Sequence, residues 1–315
     1  MRLAQELRLI QACIVIPLNA YSEDEPRDSS GKWTTSGGET MYEVKSPHGQ
    51  KLLEQAHLKA IRIPPAWTHV SVNPDPKGKL MVVGKDVKGR SQHIYSKAHS
   101  QGQADLKFAR MSELERMMPE IQRINDKNRE SEDPKTKEEA DILALIMQTG
   151  IRPGGEGDTG ADKKAYGATT LLGRHVVEGA NGSVRLKFVG KKGVDLSIPV
   201  KDKSLASMLL ERAKASDRKG EIFPNVSAHD LSAYVKQVTG GDEYKTKDFR
   251  TLLANRIAAA EIAKVKPPTD PKTFKKKAKE VATIVAKALG NTAAIALSSY
   301  INPMVFATGW KHSYA

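Results

Sequence analysis

The 315 residues carry 50 Lys plus Arg against 37 Asp plus Glu, and the resulting net charge of +13, with a pI near 9.6, points to a polyanionic partner. Hydrophobic residues make up 39%, enough to build the cores of two domains, while the single cysteine, Cys13, excludes both an intramolecular disulfide and a cysteine-cluster metal site. The longest apolar runs, Ile10 to Leu18 among them, fall far short of the ~20 residues a spanning helix needs, so the expected partner is nucleic acid and not a membrane.

In chain order, Arg2 followed by Leu9 to Leu18 has the outline of a secretion signal, but Gln11 interrupts it and no small-x-small site follows, so a reducing compartment is expected. Residues 1–42 read as a poorly ordered extension, because Ser22 to Trp33 and the Thr/Ser/Gly tract after it can bury little. From Ile63 the pattern turns to short strands. His69 to Val72, Leu80 to Val83 and Ser91 to Tyr95 are separated by an Asn73-Pro74-Asp75-Pro76-Lys77-Gly78 turn and a Lys85-to-Arg90 hairpin. This small β-rich domain, 43–104, is expected to expose Lys85, Lys88, Arg90, His93 and Tyr95 toward phosphates and base edges.

Ser96 to Asp105 reads as a polar linker, after which a domain of residues 105–315 begins. Met111, Leu114, Met117, Met118, Ile121 and Ile124 recur at helical steps and are assigned to its core. Thr136-Lys137-Glu138-Glu139 has the form of a capping box, and Gly150 stops the helix that follows, leaving Arg152 just past a helix C-terminus. Gly155 to Gly160 spells a dinucleotide-binding G-x-G-x-x-G, but it follows a helix instead of a strand and is read as a chance match. Val184-Leu186-Phe188 and Val194-Leu196-Ile198-Val200 alternate as strands joined at Gly190 to Gly193, with Lys191 on the hairpin tip. Helices are expected at Lys203 to Ala215, at Leu231 to Val238, after Lys247-x-x-Arg250, and after the Lys264-to-Lys279 cluster with Ala278, Val281, Val285 and Ala288 inward.

Tyr300 follows the Gly290-Asn291 turn in this strongly basic chain. A phenol has a pKa of about 10, so it attacks a phosphate only where cations stabilise the developing charge. Arg152, Lys191, Lys247 and Arg250 supply such cations.

The ordered set Thr149-Gly150-Ile151-Arg152, Tyr166-Gly167-Ala168-Thr169-Thr170-Leu171, Lys187 to Lys191, Lys247-Asp248-Phe249-Arg250-Thr251, Leu289-Gly290-Asn291-Thr292 and Ser299-Tyr300-Ile301 resembles the small poxvirus-like and bacterial type IB DNA topoisomerases. Ile63 to Trp67 and Lys88 to Tyr95 resemble the same family's N-terminal hairpin, so the likeness runs from about residue 45 onward. It implies an α+β protein: a small β-rich N-terminal domain, and a larger, mostly helical catalytic domain carrying a three-stranded antiparallel sheet. It further implies a monomer clamping double-stranded DNA, working without cofactor or metal in the cytoplasm, nucleoid-associated, or in a host's cytoplasm if viral.

By resemblance, Tyr300 is the nucleophile, giving a 3′-phosphotyrosyl link that lets supercoils relax before religation. Arg152 and Arg250 grip the non-bridging oxygens, Lys191 protonates the leaving 5′-oxygen, Lys247 assists, and Asn291 donates to a phosphate oxygen. Gln92, His93 and Tyr95 fall on major-groove contacts, and Lys164 and Tyr166 join the DNA-binding set. Two positions depart from many relatives, which have histidine at Asn291 and tyrosine at His93. A tyrosine recombinase is the competing enzyme, although recombinases carry His-x-x-Arg where this chain has Lys247-x-x-Arg250. A non-catalytic DNA-binding protein is the other alternative.

Overall fold

The computed structural model describes residues 41–155 and 164–310. Cys13, nearly all of the 1–42 extension and most of the Gly155 to Gly160 motif lie outside them. The described chain divides into two compact units, with the boundary between Ala109 and Arg110.

The first unit is an antiparallel sheet in the order β1-β2-β3-β4: β1 (Tyr42–Glu43), β2 (Thr68–Val72), β3 (Leu80–Lys85) and β4 (Ser91–Tyr95). Two short helices, α1 (Pro47–Leu53) and α2 (Ala56–Lys59), fill the interval between β1 and β2. Leu52 and Leu58 from these helices pack with Val72, Met81, Val82 and Ile94 from the strands, forming one apolar core. The β2–β3 turn is shaped by a buried amide. Asn73 Nδ2 donates to the Leu80 carbonyl at 2.8 Å and its Oδ1 accepts from Asp75 N at 2.9 Å, so both ends of the buried amide are satisfied as the chain turns through Pro74 and Pro76.

Lys97–Arg129 is one helix, α3, of 33 residues, and the polar stretch expected to be a linker is its first two turns. Ala98, Gln101, Gln103 and Ala104 are good helix formers, and the absence of an apolar stripe there reflects a helix whose inward positions are small or polar, with Ser100 buried and His99 half-buried, instead of a break. Past Arg110 its Met111, Leu114, Met118 and Ile121 are buried as expected, while Met117 and Ile124 are half-buried.

In the second unit, α4 (Pro134–Thr149) is the central helix, with Ile142, Leu143, Leu145 and Ile146 wholly buried. Its N-cap is Asp133, which accepts from Thr136 N at 2.8 Å, so the expected Thr136 capping box is corrected by one turn. Glu138, read as part of that box, is instead buried and accepts from Arg212 Nη1 at 3.0 Å and from Asn225 N at 2.9 Å. Arg212 also reaches the buried Asp141 at 3.1 Å, and Arg129 meets the same carboxylate at 3.0 Å. Every buried charge here has partners, which is the condition under which such a cluster is tolerated.

The sheet of this unit has the order β5-β6-β7, all antiparallel: β5 (Val176–Glu178), β6 (Val184–Gly190) and β7 (Val194–Val200). Val184, Leu186 and Phe188 alternate inward from β6, as the period-two pattern predicts. Around it lie α5 (Lys203–Ala215), α6 (Ala228–Thr239), α7 (Thr246–Ile262), α8 (Pro271–Leu289), α9 (Ala293–Ser299) and α10 (Pro303–Gly309). Phe274 of α8, Phe306 of α10 and Trp310 pack as three rings with centroids 5.3–5.9 Å apart. That cluster anchors the segment that follows Tyr300. On α8, Ala278, Val281 and Val285 are buried as expected, whereas Ala288 is only half-buried and Leu289 takes the inward position.

Candidate active site

Two glycine-terminated helices and one helix start converge on Tyr300. Helix α4 ends at Gly150 with φ 63°, and α8 ends at Gly290 with φ 61°, both left-handed conformations that a side chain would strain. Both glycines are also needed for space: a Cβ on Gly150 would lie 2.6 Å from Leu289 Cδ2, and one on Gly290 would collide with Leu196. These two stops aim Arg152 and Asn291 at one place. The N-terminal part of α7 brings Arg250 to the same place, where it is only 4% exposed.

Arg250 has a double occupation. Its Nη1 donates to the Gly150 carbonyl and its Nη2 to the Leu289 carbonyl, so it satisfies the carbonyl of the glycine that caps α4 and the last carbonyl of α8, where the helix dipoles favour a cation. Its Nε donates to the Tyr300 hydroxyl at 3.2 Å, and the guanidinium carbon stands 5.2 Å from the tyrosine ring centroid. Arg152 Nη2 donates to Asn291 Oδ1 at 3.3 Å. With the Asn291 amide turned over, its oxygen would accept from Arg250 Nη2 at 3.2 Å, so in either orientation it accepts from an arginine.

The electrostatics follow from this crowding. Burial disfavours ionisation of the Tyr300 phenol, but the charges of Arg250 and Arg152 and the hydrogen bonds from Arg250 and Asn291 outweigh it, and the hydroxyl is held below its ordinary range. Arg250 is shifted down by its own burial, with Arg152 adding to the effect and Tyr300 opposing it.

Tyr300 caps the C-terminus of α9, one residue past its end, and its backbone is held from outside that helix. Asn255, five residues past Arg250 on α7, donates from Nδ2 to the Tyr300 carbonyl at 2.9 Å and accepts on Oδ1 from Asn302 N at 2.7 Å. One side chain thereby brackets the tyrosine on both sides. Sequence reasoning missed it, although a lone asparagine inside an alanine-rich helix, where it competes with the helix's own hydrogen bonds, is a signal that could have found it.

Lys191 begins the single turn Lys191–Gly193 that links β6 to β7, is exposed as expected, and lines the same cleft as Arg152, Tyr166 and Arg250. Lys247 is exposed on the first turn of α7, one turn before Arg250. Tyr166, half-buried, is held by three neighbours. His175 meets it edge-on at 4.5 Å, Arg174 Nη2 donates to its hydroxyl at 3.2 Å, and Lys164 Nζ lies 5.5 Å from its ring centroid. His175 was not anticipated. It is 7% exposed, accepts from Leu172 N at 3.1 Å on Nδ1, and burial together with the Arg174 charge pushes its pKa down to about 4.

In the first unit, Lys85, Lys88 and Arg90 are exposed as expected. Two positions differ from the expectation. Tyr95 is 8% exposed and His93 half-buried, because Tyr95 stacks between His93 at 6.3 Å and His99 of α3 at 5.3 Å. The helix that replaced the expected linker is what covers Tyr95. Gln92 is half-buried beside Asp86.

An acidified phenol flanked by two guanidiniums and an amide, at a cleft bearing a further lysine, has the parts for attack on a phosphodiester by a protein nucleophile. Comparison with known proteins agrees with that class. Residues 96–303 match the family described as the catalytic core of eukaryotic DNA topoisomerase I, and residues 43–86 match the N-terminal domain of bacterial DNA topoisomerase IB. The chain belongs to the type IB DNA topoisomerases, enzymes whose substrate is DNA. A relative, DNA topoisomerase 1B of Acanthamoeba polyphaga mimivirus, is 28% identical over 260 residues, covering 78% of this chain and 76% of the relative.

Proposed function

We propose that this topoisomerase relaxes supercoiled duplex DNA by a metal- and ATP-independent transesterification at Tyr300. The Tyr300 oxygen bonds to a backbone phosphorus and its proton passes to solvent. The bond from phosphorus to the 5′-oxygen breaks, leaving a 3′-phosphotyrosyl link and a 5′-hydroxyl. Arg250 and Arg152 hold the non-bridging oxygens, for which the planar guanidinium fork is suited, and they supply the electrostatic stabilisation a metal would otherwise give. Lys191 gives its proton to the departing 5′-oxygen, with Lys247 assisting, and Asn291 donates to a phosphate oxygen without adding charge. Religation is the reverse attack by the 5′-hydroxyl after the cut strand has swivelled.

The observation that carries this reading is the hydrogen bond from buried Arg250 to the Tyr300 hydroxyl, with Arg152 and Asn291 alongside. In the proposed division of labour, residues 105–315 perform the chemistry. Residues 43–104 contact the major groove through the β3–β4 hairpin, using Lys85, Lys88, Arg90, Gln92 and His93 and the rim of Tyr95, while Lys164 and Tyr166 contact DNA beside the cleft. The enzyme acts as a monomer clamped on DNA, away from membranes, in the cytoplasm of a cell or of a virus's host. The test is relaxation of a plasmid in EDTA without ATP. Supercoils of both signs should disappear, and a strict requirement for magnesium would overturn the mechanism.

A further inference from the structure

The hairpin joining β3 and β4 is organised around one carboxylate. Asp86 Oδ1 accepts from the backbone N–H groups of Lys88 and Arg90, each at 3.0 Å, and so fixes the turn through Gly89, whose φ is 72°. Its other oxygen serves side chains instead. Oδ2 accepts from Arg90 Nε at 2.8 Å, from Arg90 Nη2 at 2.7 Å and from Gln92 Nε2 at 3.0 Å. The hydrogen bond from Arg90 keeps the Asp86 carboxyl below its ordinary range against the opposing effect of partial burial, so the group is an anion.

An ionised carboxylate can only accept, and this dictates the orientation of the Gln92 amide. Nitrogen faces Asp86, oxygen faces away, and Gln92 Oε1 accepts no hydrogen bond among the described residues. An unrestrained glutamine in a major groove can turn its amide either way, offering a donor or an acceptor to the same base edge. Gln92 cannot. We propose that Asp86 is a positioning residue that sets which base edge Gln92 reads, so that Gln92 selects a base with an exocyclic amine in the major groove, N6 of adenine or N4 of cytosine. The proposal rests on the reading of this hairpin as a DNA contact, and adds to it a polarity that the sequence of the hairpin does not contain.

The experiment uses the full chain and a pool of duplexes randomised in sequence, followed by affinity measurements on single-position series. One position should favour adenine or cytosine on one strand by about three- to tenfold, the contribution of one hydrogen bond. Replacing a favoured adenine there by purine, which lacks the amine, should abolish the preference, and Gln92→Ala should flatten that position alone. The deciding variant is Asp86→Asn. It keeps an oxygen for the two backbone N–H groups and puts an NH2 where Oδ2 stood, so Gln92 must turn its oxygen inward and its own NH2 outward. The preference should then invert toward guanine or thymine, which offer O6 and O4. Ratios between bases are the readout, because releasing Arg90 changes affinity for every sequence alike. An unchanged or merely flattened profile in Asp86→Asn, with Gln92→Ala still effective, would overturn the role of Asp86 and leave the DNA contact standing. A pool in which no position responds to Gln92→Ala would overturn both.

Discussion

Arg250→Lys keeps the charge at the site and removes the fork, which makes it a sharp probe of why arginine stands there. The guanidinium serves three acceptors: the Gly150 carbonyl, the Leu289 carbonyl and the Tyr300 hydroxyl. A lysine ammonium is a shorter-reaching point donor and leaves at least one buried carbonyl unsatisfied, at a cost of about 1–3 kcal/mol. For a chain of this size that corresponds to a fall in Tm of roughly 2–10 °C. The catalytic loss has a separate origin, because the guanidinium that two backbone carbonyls hold in place, with Nε toward the Tyr300 hydroxyl, becomes a single mobile donor, and losing one fixed donor to the developing charge costs about 10²–10³ in rate. The assay is single-turnover cleavage of a suicide duplex at saturating enzyme, run well below the Tm of the variant and beside a calorimetric scan. A lysine variant that loses stability as calculated yet cleaves at the wild-type rate would refute the assignment of Arg250 to the phosphate.

Lys191→Ala should slow cleavage by about 10²–10⁴ with DNA affinity nearly unchanged, and should recover most of that loss when sulfur replaces the bridging 5′-oxygen, since a thiolate leaves without protonation. An equal defect on sulfur would move the acid elsewhere, with Lys247 the next candidate. His175 titrates near 4 in the folded protein and near 6.5 when unfolded, so the unfolded chain binds more protons between those values. The stability it contributes is complete above about pH 6.5 and is lost as pH falls toward about 4, an effect of roughly 1–3 kcal/mol. Denaturant unfolding across that range should therefore fall less steeply in His175→Asn than in the wild type, and parallel curves would contradict this.

The residues that carry local chemistry were readable because each obeys a short-range rule. Gly150 and Gly290 end amphipathic patterns where a left-handed residue is required, and the alternation of Val184, Leu186 and Phe188 fixes the strand that delivers Lys191 to a turn. What escaped depends on contacts between residues far apart in the chain. Arg250 reads in sequence as a cation for the phosphate, but its burial does not, because only the meeting of two helix ends encloses it. Glu138 reads as part of a helix cap, yet Arg212, more than seventy residues on, draws it inside together with Asp141. Tyr95 was expected to face DNA because strand alternation says nothing of what covers the far face, and the cover is a helix whose polar composition reads as a linker. Asn255 and Asp86 belong to the same class, since each is a single polar side chain whose work lies in several simultaneous hydrogen bonds.

The proposed mechanism stands or falls on whether Tyr300 becomes covalently joined to the 3′ end of the broken strand. The direct measurement traps the cleaved complex on a suicide duplex, digests it with protease and nuclease, and identifies the nucleotide-bearing peptide by mass spectrometry, with Tyr300→Phe processed in parallel. A single adduct is expected on Tyr300, carried through a 3′-phosphate and absent from the phenylalanine variant although that variant still binds DNA. An adduct on any other residue, a link to a 5′-phosphate, or an adduct that persists in Tyr300→Phe would contradict it.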